Sequence, residues 1–220
     1  MRAMLVPAEP GRPALSRVIL MPGAYQGAAD LIRVGFARAV SEAQLALDLQ
    51  LLDLELNHLT DRSILSDLHA SLIPEARAAG CTRLWLGGIS LGGFLALLYA
   101  EQYPECCDGL LLLAPYLGNR MILNDLERQL AIPAGEQSEA PELAEERRVW
   151  RFIRQPPPGS PPVRLGFGSA DRFASAHRLM ARSLPPAQVT EVPGAHDWPV
   201  WLQLWKIMLP ELAGVVAPVS

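Results

Sequence analysis

Lysine is almost missing from this chain, with Lys206 alone against 18 arginines, and cysteine and aromatic residues are sparse. The 19 basic residues do not outnumber the 23 acidic ones, so there is no basic footprint of the kind a nucleic-acid partner requires. Cys81, Cys106 and Cys107 are odd in number, two of them are adjacent, and none has metal-ligand spacing. That excludes a disulfide framework or a zinc site and predicts reduced thiols. No apolar run approaches the ~18 residues of a membrane span. The opening MRAMLVPAEPGRP lacks the apolar core of a secretion signal. The expectation is a soluble cytoplasmic protein. Half of the 220 residues are apolar, enough for one sizeable core, so residues 1–220 are expected to form a single domain.

One stretch organises the rest. Leu84, Trp85 and Leu86 form an apolar run that meets Gly87-Gly88, and a helical apolar pattern follows at Leu91, Phe94, Leu95, Leu98 and Tyr99. Between them Gly88-Ile89-Ser90-Leu91-Gly92 reads G-x-S-x-G, a strand-to-helix turn that exposes a serine hydroxyl on strained backbone. The flanking glycines leave room for strand and helix to approach. The alternative, a glycine-rich turn with an incidental serine, does not account for strand, turn and helix arriving in this order.

Around this stretch the elements alternate. Arg17–Met21 reads as a buried strand ended by Pro22-Gly23, after a loose or extended segment over residues 1–16. Asp30–Gln44 has helical spacing, and Leu45–Leu56 alternates leucine with Asp48, Gln50, Asp53 and Glu55, as a strand nearer the sheet edge would. Ser63–Ala79 predicts a helix stopped by Gly80, and Gly109–Ala114 a strand apolar on both faces. The order is that of a doubly wound α/β fold with a mostly parallel sheet flanked by helices. Residues 115–155 interrupt it with two expected helices, Met121–Leu130 and Pro141–Arg154, either a cap over the pocket or a peripheral covering of the sheet. Strand Val163–Phe167, helix Phe173–Ser183, strand Gln188–Val192 and helix Trp198–Leu212 complete the chain. No internal repeat is present.

A serine hydroxyl needs a base to take its proton, and the base needs an acid to orient it. On this fold both follow the serine in the chain, acid first and histidine last. Of four histidines, His58, His69 and His177 read as surface or packing residues, whereas His196 lies just past the final strand. Asp171 follows strand Val163–Phe167 and is the preferred acid. Its rival Asp197 adjoins His196 and is better suited to cap the closing helix. The acyl transition state also needs two donors for its oxyanion. Leu91 N–H is one candidate. Ala24 N–H, in the loop after the first strand, is the other, since Pro22 has no N–H to give; the alternative there is an ordinary Pro-Gly turn. Candidate pocket walls are Tyr25, Ile89, Tyr116, Trp150, Trp198 and Trp201, each of which could equally be core packing.

Elbow, acid and histidine in this order, with a glycine loop after an early strand, resemble the α/β-hydrolase superfamily, and the likeness runs from about Arg17 onward. It is nearest to small single-domain esterases and thioesterases, because only one strand and the Pro-Gly loop precede the Leu45 strand. The resemblance implies Ser90 as nucleophile, His196 as base, Asp171 as acid, and Leu91 and Ala24 as oxyanion donors. It implies cleavage of a small-molecule carboxylic ester or thioester through an acyl-serine intermediate, with no metal or cofactor. Acyl transfer, peptidase activity or a non-catalytic binding role use the same scaffold. Many members carry His-Gly in the oxyanion loop where this chain has Pro22-Gly23.

Overall fold

The computed structural model describes residues 2–54, 62–119, 123–124 and 144–212. Seven strands form one sheet: β1 (Ala3–Val6), β2 (Ser16–Met21), β3 (Leu47–Leu52), β4 (Arg83–Ile89), β5 (Gly109–Leu113), β6 (Val163–Gly168) and β7 (Val189–Val192). Their spatial order is β1-β3-β2-β4-β5-β6-β7. All neighbouring pairs are parallel except β1 with β3. β2, β3 and β5 are buried along their whole length, as strands covered by helices on both faces must be. Two strands, not one, precede β3, because the exposed segment Ala3–Val6 pairs antiparallel to it. β1 takes its conformation from that ladder and not from any apolar alternation of its own.

The helices are α1 (Ala28–Val34), α2 (Phe36–Glu42), α3 (Ser63–Asp67), α4 (Ile73–Ala78), α5 (Leu91–Gln102), α6 (Ala144–Arg154), α7 (Ala174–Ala181) and α8 (Trp198–Leu212). The helix expected over Asp30–Gln44 is two helices. Gly35 at φ 111° ends α1, donating its N–H to the Leu31 and Ile32 carbonyls, and starts α2 in a new direction. A π-helical turn, Leu68–Leu72, joins α3 to α4. The polar positions of β3 are satisfied inside the protein. Asp48 accepts N–H groups from Ala8 and Ala14 and a guanidinium bond from Arg17, which also reaches Gln50.

The expected helix Met121–Leu130 falls largely outside the described residues, as do residues 141–143 of the next one. Helix α6 packs along α5, joined to it by the Arg148–Glu101 ion pair, and Glu145 pairs with Arg62 at 2.7 Å. The strand order reverses between β2 and β4, each connected onward on opposite sides of the sheet. In such sheets a crevice opens at that point, outside the carboxyl ends of the strands. The loops after β2, β4, β6 and β7 meet there.

Candidate active site

Ser90 occupies the turn between β4 and α5 at φ 51°, ψ −112°, a left-handed conformation that costs a non-glycine residue energy. Tight backbone packing holds it. A Cβ on Gly88 would overlap the Gly92 carbonyl, so strand and helix close on each other only because both positions are bare. Ser90 N–H donates to the Leu113 carbonyl and Tyr116 N–H donates to the Ser90 carbonyl, each at 2.9 Å.

Asp171 and His196 come from adjacent loops pressed together. Ala170 N–H donates to the Gly194 carbonyl at 2.9 Å, and a side chain at Gly168 would collide with that same carbonyl. Gly194, at φ +136°, turns the chain so that His196 faces the elbow. The outcome is a continuous chain of hydrogen bonds. His196 Nε2 lies 3.0 Å from Ser90 Oγ, and His196 Nδ1 lies 2.7 Å from Asp171 Oδ2. With Nδ1–H donating to the carboxylate, Nε2 is left as the acceptor for the serine hydroxyl.

Burial of Asp171 favours its neutral form. The bonds it accepts from His196 and from Phe173 N–H (2.8 Å) outweigh that and hold the carboxyl below the usual range. The carboxylate is therefore charged at neutral pH. Asp197 Oδ1 instead accepts Val200 N–H at 3.3 Å in the first turn of α8. The imidazole of His196 is walled by Phe173 and Trp201, at ring separations of 5.1 and 5.0 Å and nearly perpendicular to both. These apolar rings flank the imidazole and restrict its rotation.

The loop after β2 lies directly on the start of α5, with the Met21 and Pro22 carbonyl oxygens against Gly92. Gln26 folds back so that its Oε1 accepts Gly23 N–H at 3.0 Å, and its own N–H donates to the Gly23 carbonyl. Gly23 is thus occupied within the loop. Ala24 N–H and Leu91 N–H have no partner among the described residues.

The six expected wall residues separate. Tyr25 is 97% exposed and in left-handed backbone (φ 61°), projecting to solvent where a wall was expected. Ile89 is in the core of β4, and Trp150 is buried with its indole N–H donating to the Leu117 carbonyl at 2.8 Å. Trp201 is buried behind His196. Trp198 and Tyr116 remain half-buried, Trp198 against Trp201 and Phe36, Tyr116 against Phe94 and Phe173. Phe173 and Gln26 were not singled out from sequence. Each stands two residues from a position that was, and that proximity was the available signal.

Among the other histidines, His58 lies outside the described residues. His69 stacks on Tyr103 with centroids 3.9 Å apart, on the opposite end of α5 from Ser90. His177 is buried. Among the described residues no cluster of three or more His, Cys, Asp or Glu side chains could hold a metal ion, and no helix is long and apolar enough to cross a membrane.

Residues 18–218 match the profile of a family described as the alpha/beta hydrolase family. No curated protein matches the sequence significantly. Among solved structures, a fluorophosphonate-binding serine hydrolase of Staphylococcus aureus aligns with a TM-score of 0.67 at 14% identity, over 96% of this chain and 91% of that one. A monoacylglycerol lipase of Paleococcus ferrophilus aligns at 0.63 and 18% identity, over 98% and 100%. Est1E of Butyrivibrio proteoclasticus aligns at 0.63 and 16%, over 95% and 91%. At such identities the likeness is one of fold.

Proposed function

The chain belongs to the alpha/beta hydrolase family, and on that footing we propose that it is a serine hydrolase cleaving a carboxylic ester or thioester through an acyl-serine intermediate. The observation that carries this reading is the unbroken chain Asp171–His196–Ser90, with separations of 2.7 and 3.0 Å. In the proposed reaction His196 Nε2 takes the hydroxyl proton as Ser90 Oγ bonds to the substrate's carbonyl carbon. Asp171 holds the ring in the required tautomer and stabilises the imidazolium that forms. The carbonyl oxygen, now an oxyanion, accepts from Leu91 N–H and Ala24 N–H, neither of which has another partner among the described residues.

Collapse of the tetrahedral intermediate breaks the bond to the alcohol or thiol, which leaves with the proton from His196. Water then attacks the acyl-serine with His196 again as base, and the acid departs. The half-buried rings of Tyr116 and Trp198 suit an apolar acyl or aryl group. The named neighbours that are a serine hydrolase and a monoacylglycerol lipase are consistent with this chemistry. The three free thiols suit a reducing compartment, and the cytoplasm is the proposed location.

The test is labelling with a fluorophosphonate probe on the wild type, Ser90→Ala and His196→Ala, followed by kinetics on p-nitrophenyl esters of rising chain length. Labelling of the wild type alone is expected. A folded wild type that neither labels nor cleaves any of the esters would overturn the proposal, and labelling that survives Ser90→Ala would assign the nucleophile elsewhere.

A further inference from the structure

We propose that His177, which touches none of the reacting groups, is a positioning residue that keeps the Ser90 turn in register with the Asp171 loop by holding the corner 114–117. This rests on the reading of Ser90 as nucleophile.

His177 sits on α7, which starts three residues after Asp171, and it is fully buried (0% exposed). Its Nε2–H donates to the Pro115 carbonyl at 2.9 Å, which leaves Nδ1 as a bare acceptor. Nδ1 is buried with no partner among the described residues. A leucine would fill such a site without stranding a polar atom, so packing alone does not explain a histidine here. The bond to Pro115 is what the imidazole provides.

That carbonyl belongs to the segment that fixes the serine. Ser90 N–H donates to Leu113, at the end of β5, and the Ser90 carbonyl accepts Tyr116 N–H, so both backbone groups of Ser90 are gripped from either side of the corner. The corner is itself strained, with Ala114 at φ 48°. It is pinned at three further points: Ala114 N–H to Gly166 of β6 (2.7 Å), His177 to Pro115, and the Trp150 indole to Leu117. The Pro115 ring also packs on Gly93, where an added Cβ would lie 2.9 Å from it. A left-handed serine persists only while its surroundings over-determine it. With the Pro115 carbonyl released, the corner relaxes, the Ser90 backbone follows, and Oγ drifts from its 3.0 Å contact with His196.

Three variants test this. His177→Leu removes the donor together with the orphaned Nδ1. Its kcat is expected to fall about tenfold or more at a nearly unchanged KM, because misplacement of a reacting group by a fraction of an ångström acts on the chemical step. The rate of fluorophosphonate labelling falls in proportion, while the melting temperature changes little. His177→Gln retains a donor at a similar reach and is expected to recover most of the lost kcat. Trp150→Phe, which keeps bulk but frees the Leu117 carbonyl, shifts kcat in the same direction and serves if the leucine variant does not fold. A folded His177→Leu protein with wild-type kcat overturns the inference, as does a glutamine variant no better than leucine, or a loss that tracks the unfolded fraction. With His177→Leu unfolded, a Trp150→Phe protein of wild-type kcat overturns it too. Wild-type protein that fails to label at Ser90 removes the nucleophile reading itself, whereas a labelled wild type with an unaffected His177→Leu variant removes only the positioning role.

Discussion

Gly92→Ala separates the proposed oxyanion loop from the rest of the site. The new Cβ would stand 2.5 Å from the Pro22 carbonyl oxygen and closer still to that of Met21, against the 3.4 Å at which ordinary contact begins. Both are backbone atoms and neither can swing aside. The loop must therefore withdraw by about 1 Å, carrying Ala24 N–H with it, a displacement of the order that costs about 10²-fold when it falls on a catalytic group. Loss of one oxyanion donor costs about 10²–10³ in kcat, so the expected drop is about a hundredfold.

Stability responds far less. Overpacking costs about 1–3 kcal/mol, and alanine in place of glycine within a helix returns about 1 kcal/mol. Gly92 has no positive φ to oppose the change. The net loss of about 0–2 kcal/mol lowers the melting temperature by a few degrees in a chain of this size. Kinetics on p-nitrophenyl acetate and a thermal melt followed by circular dichroism read the two effects separately. A folded Gly92→Ala protein with kcat within about threefold of wild type would refute the argument, since a donor worth about a hundredfold cannot move by an ångström without effect.

Other perturbations have equally definite outcomes. Asp171→Asn keeps an acceptor for Phe173 N–H but loses the carboxylate that fixes the His196 tautomer. Its kcat is expected to fall by about 10³–10⁴-fold with the fold intact by circular dichroism. Asp48→Ala strips the buried Arg17 guanidinium of its ion-pair partner and frees two backbone N–H groups; a loss of about 3–5 kcal/mol is expected in urea unfolding, with the elbow untouched. Burial pushes the pKa of His177 below its ordinary 6.5; its bond to Pro115 and the charge of Asp171 act against that, while His196 and Arg178 add to it. Between the folded value and 6.5 the unfolded chain binds the extra proton. Stability is therefore expected to decline as pH falls below about 6.5 through that window, by up to about 1.4 kcal/mol per pH unit, and His177→Gln should flatten this part of the profile in urea titrations at several pH values.

The convergence of Ser90, His196 and Asp171 was legible because its signals are local in sequence. G-x-S-x-G between an apolar strand and a helical pattern describes one turn, and the glycines at 88 and 92 are where the turn has no space for a side chain. His196 and Asp171 could be singled out because each immediately follows a strand, and strand ends in a parallel sheet converge on one edge. The break at Gly35 was not legible, because Leu31, Val34, Ala37 and Val40 keep helical spacing across it. Strand β1 was not either: its pattern is mostly exposed, and only the ladder to β3 defines it.

The aromatic residues show where letters stop being informative. Tyr25 and Trp150 had equal claim to a pocket wall, yet one projects into solvent and the other is buried with its indole N–H on Leu117. Composition cannot separate these fates, because an aromatic ring carries the same apolar area wherever it lies and its surroundings come from elements distant in sequence. The corner 114–117 is the same case in backbone form. Nothing in Ala114-Pro115-Tyr116-Leu117 announces that it grips the Ser90 turn, since its partners Ser90, Trp150, Gly166 and His177 are each dozens of residues away. The groups proposed to react are read from local pattern, whereas the groups that hold them in position are read from tertiary contact. Substitutions in this second set should therefore alter kcat at positions that no motif search would select.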